Sequence, residues 1–195
     1  FPPVTTEIYL PALPQLTRSL HGSTAEGQQT LAAYFIGLGL GQLFYGPWSD
    51  RTGRRPTMLI GTADYLAASL GCAVARDMPQ MIVLRFVQAL GACSGVGISS
   101  AVVRDRFEHQ ESARIFSMLL TLRGIGPILA PIAGGVIVTF LGWRAIFWAL
   151  TVFGSVLGLS VLLGLKESRT ETVAARARSE SPLRAYAAVL RNPEI

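Results

Sequence analysis

The chain has 195 residues, of which 50% are hydrophobic and only 15% charged, against about 25% charged in an ordinary soluble domain. That shortage of charge excludes a soluble globular fold of this size. The net charge of +5 does not signal nucleic acid either, because the basic residues flank apolar runs and do not interleave with aromatics.

A bilayer core about 30 Å thick needs about 20 mostly apolar residues as helix, and five stretches meet that length. Leu31 to Trp48 is free of charge, Thr57 to Ala75 contains only Asp64, Met78 to Val103 only Arg85, Ile115 to Leu141 only Arg123, and Ala145 to Leu165 none. Phe1 to Thr17 is a sixth, shorter candidate that carries Glu7 and the kinking prolines Pro11 and Pro14. It reads as the back part of a first helix whose start is missing. No two-residue alternation is visible, which argues against a membrane barrel. The expected fold is therefore all-α: a polytopic membrane protein with a six-helix bundle over residues 1–165. Residues 166–195 then form a polar linker with a short amphipathic helix at Pro182 to Leu190.

Alternating runs place Arg51, Arg54, Arg55, Arg104, Arg106, Arg114, Lys166, Arg169, Arg176 and Arg178 on one side, and only Arg18, Arg76 and Arg144 on the other. The excess of Lys and Arg in cytoplasmic loops assigns the Arg51 connection and the C-terminal tail to the cytoplasm of an inner-membrane protein.

Three decoys carry no chemistry. Gly37-Leu-Gly39-Leu-Gly41 resembles a nucleotide loop but lies in an uncharged helix, where Gly37 and Gly41 have the spacing of helix packing. His21 and His109 have no ligand partners in the sequence, and Cys72 and Cys93 lie inside apolar runs as small buried side chains. No metal site, Ser/His pair or catalytic carboxylate pair is indicated, so an enzyme is not expected.

Four motifs carry more. The connection between the second and third segments contains Gly46, Asp50, Arg51, Gly53, Arg54 and Arg55, in which Gly53 allows a tight turn and Asp50 can accept hydrogen bonds at a helix start. The fourth segment holds Arg85-Phe-Val-Gln88-Ala-Leu-Gly91. An arginine there costs about 2.5–3.5 kcal/mol on insertion scales, so it should face the bundle interior and a partner. The fifth segment holds Gly124, Gly126, Pro127, Ala130, Pro131, Gly134 and Gly135, small residues that permit close helix packing and prolines that loosen the backbone. The first contains Thr6-Glu7-Ile8-Tyr9-Leu10-Pro11-Ala12-Leu13-Pro14.

The connection matches the G-x-x-x-D-R-x-G-R-R signature of the major facilitator superfamily at every defined position. The fourth-segment motif resembles the family's R-x-x-Q-x-x-G. The fifth resembles its antiporter signature, with Ala130 and Ser117 in place of two glycines, and the first resembles the D-x-Y-L-P-A-L-P of Bcr/CflA-type drug:proton antiporters, with Glu7 replacing aspartate.

That resemblance implies the N-terminal half of a two-bundle transporter that rocks around a midplane site. The Asp50–Arg55 connection would latch the halves, and a missing C-terminal six-helix half would be the principal partner beside the lipid bilayer. Glu7, Arg85 and Gln88 would couple protons to export of small lipophilic drugs, with Asp64 and Arg123 as further candidates. The energy source would be the proton gradient, with no cofactor. A metabolite carrier for a sugar or amino acid, or a non-transporting fragment, remain the alternatives.

Overall fold

The computed structural model describes residues 2–106 and 109–164; the expected linker and its amphipathic helix lie outside the described residues. All regular structure within them is helical: α1 (Pro2–Glu7), a 3-10 turn at Leu10–Ala12, α2 (Leu13–Ser19), α3 (Thr24–Thr52), α4 (Arg54–Val74), α5 (Met78–Arg106), α6 (His109–Leu141) and α7 (Trp143–Gly164).

The first segment is therefore one helix in three pieces. Pro11 has no N–H to give the carbonyl of Glu7, and Pro14 none for that of Leu10, which takes the N–H of Leu13 in a tighter turn instead. Glu7 closes the first piece.

The second segment is longer than the uncharged stretch that announced it. Ser23 and Glu26 form a reciprocal capping box: the Glu26 N–H donates to Ser23 Oγ at 3.2 Å, and the Ser23 N–H donates to Glu26 Oε2 at 2.7 Å. This starts α3 seven residues before Leu31. The Ser23 backbone N–H, and then its hydroxyl, hold the Glu26 carboxyl below the usual carboxylate range. A depressed pKa contributes stability above the ordinary carboxylate value and loses it as pH falls through the lower, folded value. Ser23→Ala is expected to cost about 1 kcal/mol and Glu26→Gln to flatten the acid limb of stability against pH, both read by thermal unfolding in detergent between pH 3 and 7.

At its other end α3 runs through the signature to Thr52, and α4 begins at Arg54, so only Gly53 lies between them. The expected loop is in fact two helix ends joined by one residue. Gly53 has φ 113° and ψ 155°, a backbone that side-chain-bearing residues rarely adopt.

α3 and α4 pack on α5, α4 also packs on α7, and α6 packs on α1 and the 3-10 turn. The core gathers Tyr9, Leu16, Cys72, Met81, Trp143, Ile146, Phe147 and Leu150. Both cysteines are buried free thiols, as their setting predicts. Gly37 and Gly41 are packing positions: a Cβ would meet Phe86 O at 2.6 Å or Cys93 Sγ at 2.8 Å on α5.

Two cross-links tie one end of the bundle. Gln15 Oε1 accepts the Trp143 N–H at 2.9 Å, and Arg144 donates to the Ala75 carbonyl at 3.0 Å. Large apolar side chains stand exposed along α3, α6 and α7, among them Phe44, Ile128, Phe140 and Leu163. Arg54–Val74, Arg114–Leu141 and Trp143–Gly164 are long and apolar enough to cross a membrane. α3 and α5, at 29 residues each, have the length, about 44 Å, with more polar interiors.

Candidate functional site

Four helical elements meet around Arg85. It is fully buried on α5, and its guanidinium carbon lies 4.2 Å from the ring centroid of Tyr9, in the break of the first helix, and 4.2 Å from that of Tyr34 on α3. Desolvated cation–π contacts of this kind are worth about 2 kcal/mol each, which offsets much of the cost of burying the charge.

One guanidinium nitrogen is held within the protein. Arg85 Nη1 donates to Gln88 Oε1 at 2.7 Å, Gln88 Nε2 donates to Ser69 Oγ at 2.8 Å, and Ser69 Oγ donates to the Tyr65 carbonyl at 2.7 Å on α4. Gln88 and Ser69 are fully buried as well. Residues 85 and 88 meet because a three-residue step returns to one helical face.

Of the two aromatic partners, Tyr9 is itself fixed by a hydrogen bond, while the Tyr34 hydroxyl is buried without one among the described residues. The Thr30 hydroxyl donates to the Gly27 carbonyl at 2.6 Å, so its oxygen accepts from the Tyr9 hydroxyl, also at 2.6 Å. The Tyr65 hydroxyl meets Thr5 Oγ1 at 2.8 Å, linking α4 to α1. Several buried polar side chains thus pair across α1, α3, α4 and α5.

Glu7 sits at the end of α1, two residues before Tyr9, and is partly exposed, unlike Arg85. The structure therefore brings Arg85 and Gln88 into one sealed network and places Glu7 at its margin. Asp64 is half-buried on α4 beside Tyr65. Arg123 belongs to α6, and its side chain lies outside the described residues.

The fifth-segment signature is spread over two environments. A Cβ on Gly134 would fall 2.3 Å from the Ile8 carbonyl oxygen, so α6 rests directly on the break of the first helix. Nothing lies within 4 Å of a Cβ at Gly124 or Gly135, and Gly126 makes only ordinary contact with Val4. Pro127 and Pro131 are accommodated inside the continuous α6. The close packing expected of the whole motif is carried, within the described residues, by Gly134.

At the other site, Arg54 is buried, donates to Ser49 Oγ at 2.8 Å and forms an ion pair with Asp50 across the Gly53 junction. Arg55 Nη2 donates to the Leu162 carbonyl at 2.9 Å, which joins the signature to the last turn of α7. Gly46 has open space around it, and Arg51 is exposed.

Tyr9, Tyr34, Tyr65, Ser69 and Thr30 were not among the residues singled out as functional. Tyr9 stood inside a quoted motif. The rest had no signal of their own, since an isolated tyrosine or serine in an apolar run reads as packing until its partner on another helix is known.

The model of the Major Facilitator Superfamily matches residues 4–195. The multidrug resistance protein MdtL of Shigella flexneri is 33% identical over 189 residues, which are 94% of this chain and 48% of that one. Citrate exporter 1 of Aspergillus niger is 33% identical over 168 residues, 86% of this chain and 32% of the other. Among solved structures, the human organic anion transporter MFSD10 aligns with TM-score 0.64 and 19% identity over 98% of this chain and 53% of its own, a likeness of fold. The chain thus spans about half or less of the length of these relatives. A multi-pass helical bundle, the Asp50–Arg55 connection and a family match over nearly the whole sequence agree: this chain belongs to the major facilitator superfamily of membrane transporters.

Proposed function

We propose that the chain is the N-terminal bundle of a proton-coupled exporter of small lipophilic drugs, of the bicyclomycin or chloramphenicol type, in the cytoplasmic membrane. The signature connection and the tail would face the cytoplasm. One observation carries the reading: a partly exposed carboxyl, Glu7, ends a helical piece whose next turn presses Tyr9 against a buried arginine.

A carboxyl at the edge of the bundle can exchange a proton with whichever side of the membrane it is open to. Glu7 would take a proton from outside and release it inside as drug leaves, the two competing for the inward-facing cavity. Movement of Glu7 would be transmitted through Tyr9 to Arg85. A membrane potential adds about 2.3 kcal/mol per charge per 100 mV. The relation to a multidrug resistance protein supports drugs as substrates, and the equal identity to a citrate exporter supports a metabolite carrier as the second reading.

The test is drug accumulation in cells expressing the complete transporter, with chloramphenicol and a lipophilic cation as probes. Uncoupler-sensitive export that Glu7→Gln reduces at least about tenfold is the expected result. Unchanged accumulation with the protein present in the membrane would exclude drug export and leave the metabolite carrier.

A further inference from the structure

Arg85 has more hydrogen-bonding capacity than its surroundings meet. Nη1 is taken by Gln88, but Nε and Nη2 are buried with no partner among the described residues. No described carboxylate lies within ion-pair distance of Arg85. The two rings face the guanidinium with their π surfaces; the Tyr9 hydroxyl is committed to Thr30, and the Tyr34 hydroxyl is buried without a partner among the described residues and does not reach Nε or Nη2.

Nε and Nη2 are not two unrelated orphans. Their N–H bonds run parallel along one edge of the planar guanidinium, spaced to match the two oxygens of a carboxylate. A buried cation left with two unmet donors is a costly arrangement, and ionisable groups at bilayer depth mark sites of function.

We propose that this edge of Arg85 binds the carboxylate of the transported substrate, making the cargo a small organic anion with an apolar or aromatic body that fits beside Tyr9 and Tyr34. The assignment rests on the reading of the chain as part of an exporter and, within it, favours the second reading, an anionic cargo, over a neutral drug such as chloramphenicol. Arg85 is fully buried here, so the bound state is an occluded one. Tyr9 immediately precedes the 3-10 turn at Leu10–Ala12. Bending there would carry the Tyr9 ring off the guanidinium face and give the substrate a way in. The other carboxylate source is Glu7, two residues from Tyr9; the absence of an ion pair between Glu7 and Arg85 in this arrangement favours the substrate.

The experiment compares benzoate with benzamide, the same ring with a neutral group in place of the anion, on the complete transporter in nanodiscs. Binding is read by isothermal titration for wild type, Arg85→Lys and Glu7→Gln, and uncoupler-sensitive chloramphenicol efflux is measured in parallel. The expected result is a preference for benzoate of about tenfold or more in wild type, lost in Arg85→Lys, which keeps the charge and lacks the two-pronged edge. Equal binding of benzoate and benzamide by wild type overturns the proposal whether or not the lysine variant folds. So does a preference that survives Arg85→Lys, or one that emerges only in Glu7→Gln, which would make Glu7 the partner. Drug efflux without a carboxylate preference overturns the substrate assignment and leaves the export reading standing; absence of both overturns both.

Discussion

Exchanging Arg85 for methionine is expected to abolish transport while shifting the stability of the complete protein by no more than about 2 kcal/mol. The terms oppose one another. Methionine removes a buried charge that costs about 2.5–3.5 kcal/mol to place in the membrane and fills much of the same volume with a flexible apolar chain. It forfeits two aromatic contacts of about 2 kcal/mol each and leaves Gln88 Oε1 without its donor at 2.7 Å, a loss of about 1–3 kcal/mol. Ser69 gives its only proton to the Tyr65 carbonyl and offers Gln88 Oε1 none, so that loss stands, but the methionine sulfur regains about 0.3–1.5 kcal/mol against each ring. A stability near that of wild type, read by thermal unfolding, together with efflux at the level of empty vector, would show that Arg85 is retained for transport. A large drop in unfolding temperature with residual transport would make it a structural residue. Methionine removes the arginine's charge and its fork together, whereas Arg85→Lys keeps the charge and removes only the fork, so the two exchanges side by side separate field from shape.

The helices were legible because water and lipid impose opposite demands on composition: charge marked where each apolar run stopped, and each segment ends within four residues of that mark. Where the boundaries moved, local hydrogen bonding had outrun hydropathy. Ser23 and Glu26 cap α3 well outside the apolar stretch, and the signature thought to be a loop is helical on both sides of Gly53. The candidate site was half legible. A buried arginine with a glutamine three residues on is conspicuous in an apolar run, but Tyr9, Tyr34 and Ser69 reach it from three other elements. Nothing in the spacing along one helix encodes which residue of another will face it. The same limit applies to the glycines of the fifth segment, which look equivalent in sequence and differ entirely in what they touch.

Gly134→Ala is expected to cost about 1–3 kcal/mol, whereas Gly135→Ala, one residue on, is expected to be neutral or to stabilise by up to about 1 kcal/mol as a helix-interior glycine replaced by a better helix former. At Gly134 the new methyl would stand 2.3 Å from the Ile8 carbonyl oxygen and 3.2 Å from the Ile8 Cα. Both are backbone atoms that no change of rotamer can move aside. Either α6 retreats from the first helix or the break at Ile8 and Tyr9 shifts, and Tyr9 is fixed to Thr30 at 2.6 Å and to Arg85 by its ring. The strain therefore arrives at the arginine, so drug efflux should fall by more than the loss of folded protein accounts for. At Gly135 nothing lies within 4 Å of the added methyl. The pair is measured by unfolding temperature and by uncoupler-sensitive efflux normalised to folded protein. Equal effects at the two positions would mean that α6 does not rest on the broken helix through Gly134. A fall in stability at Gly134 with undiminished efflux per folded molecule would mean that the contact holds the bundle together without setting the position of Tyr9.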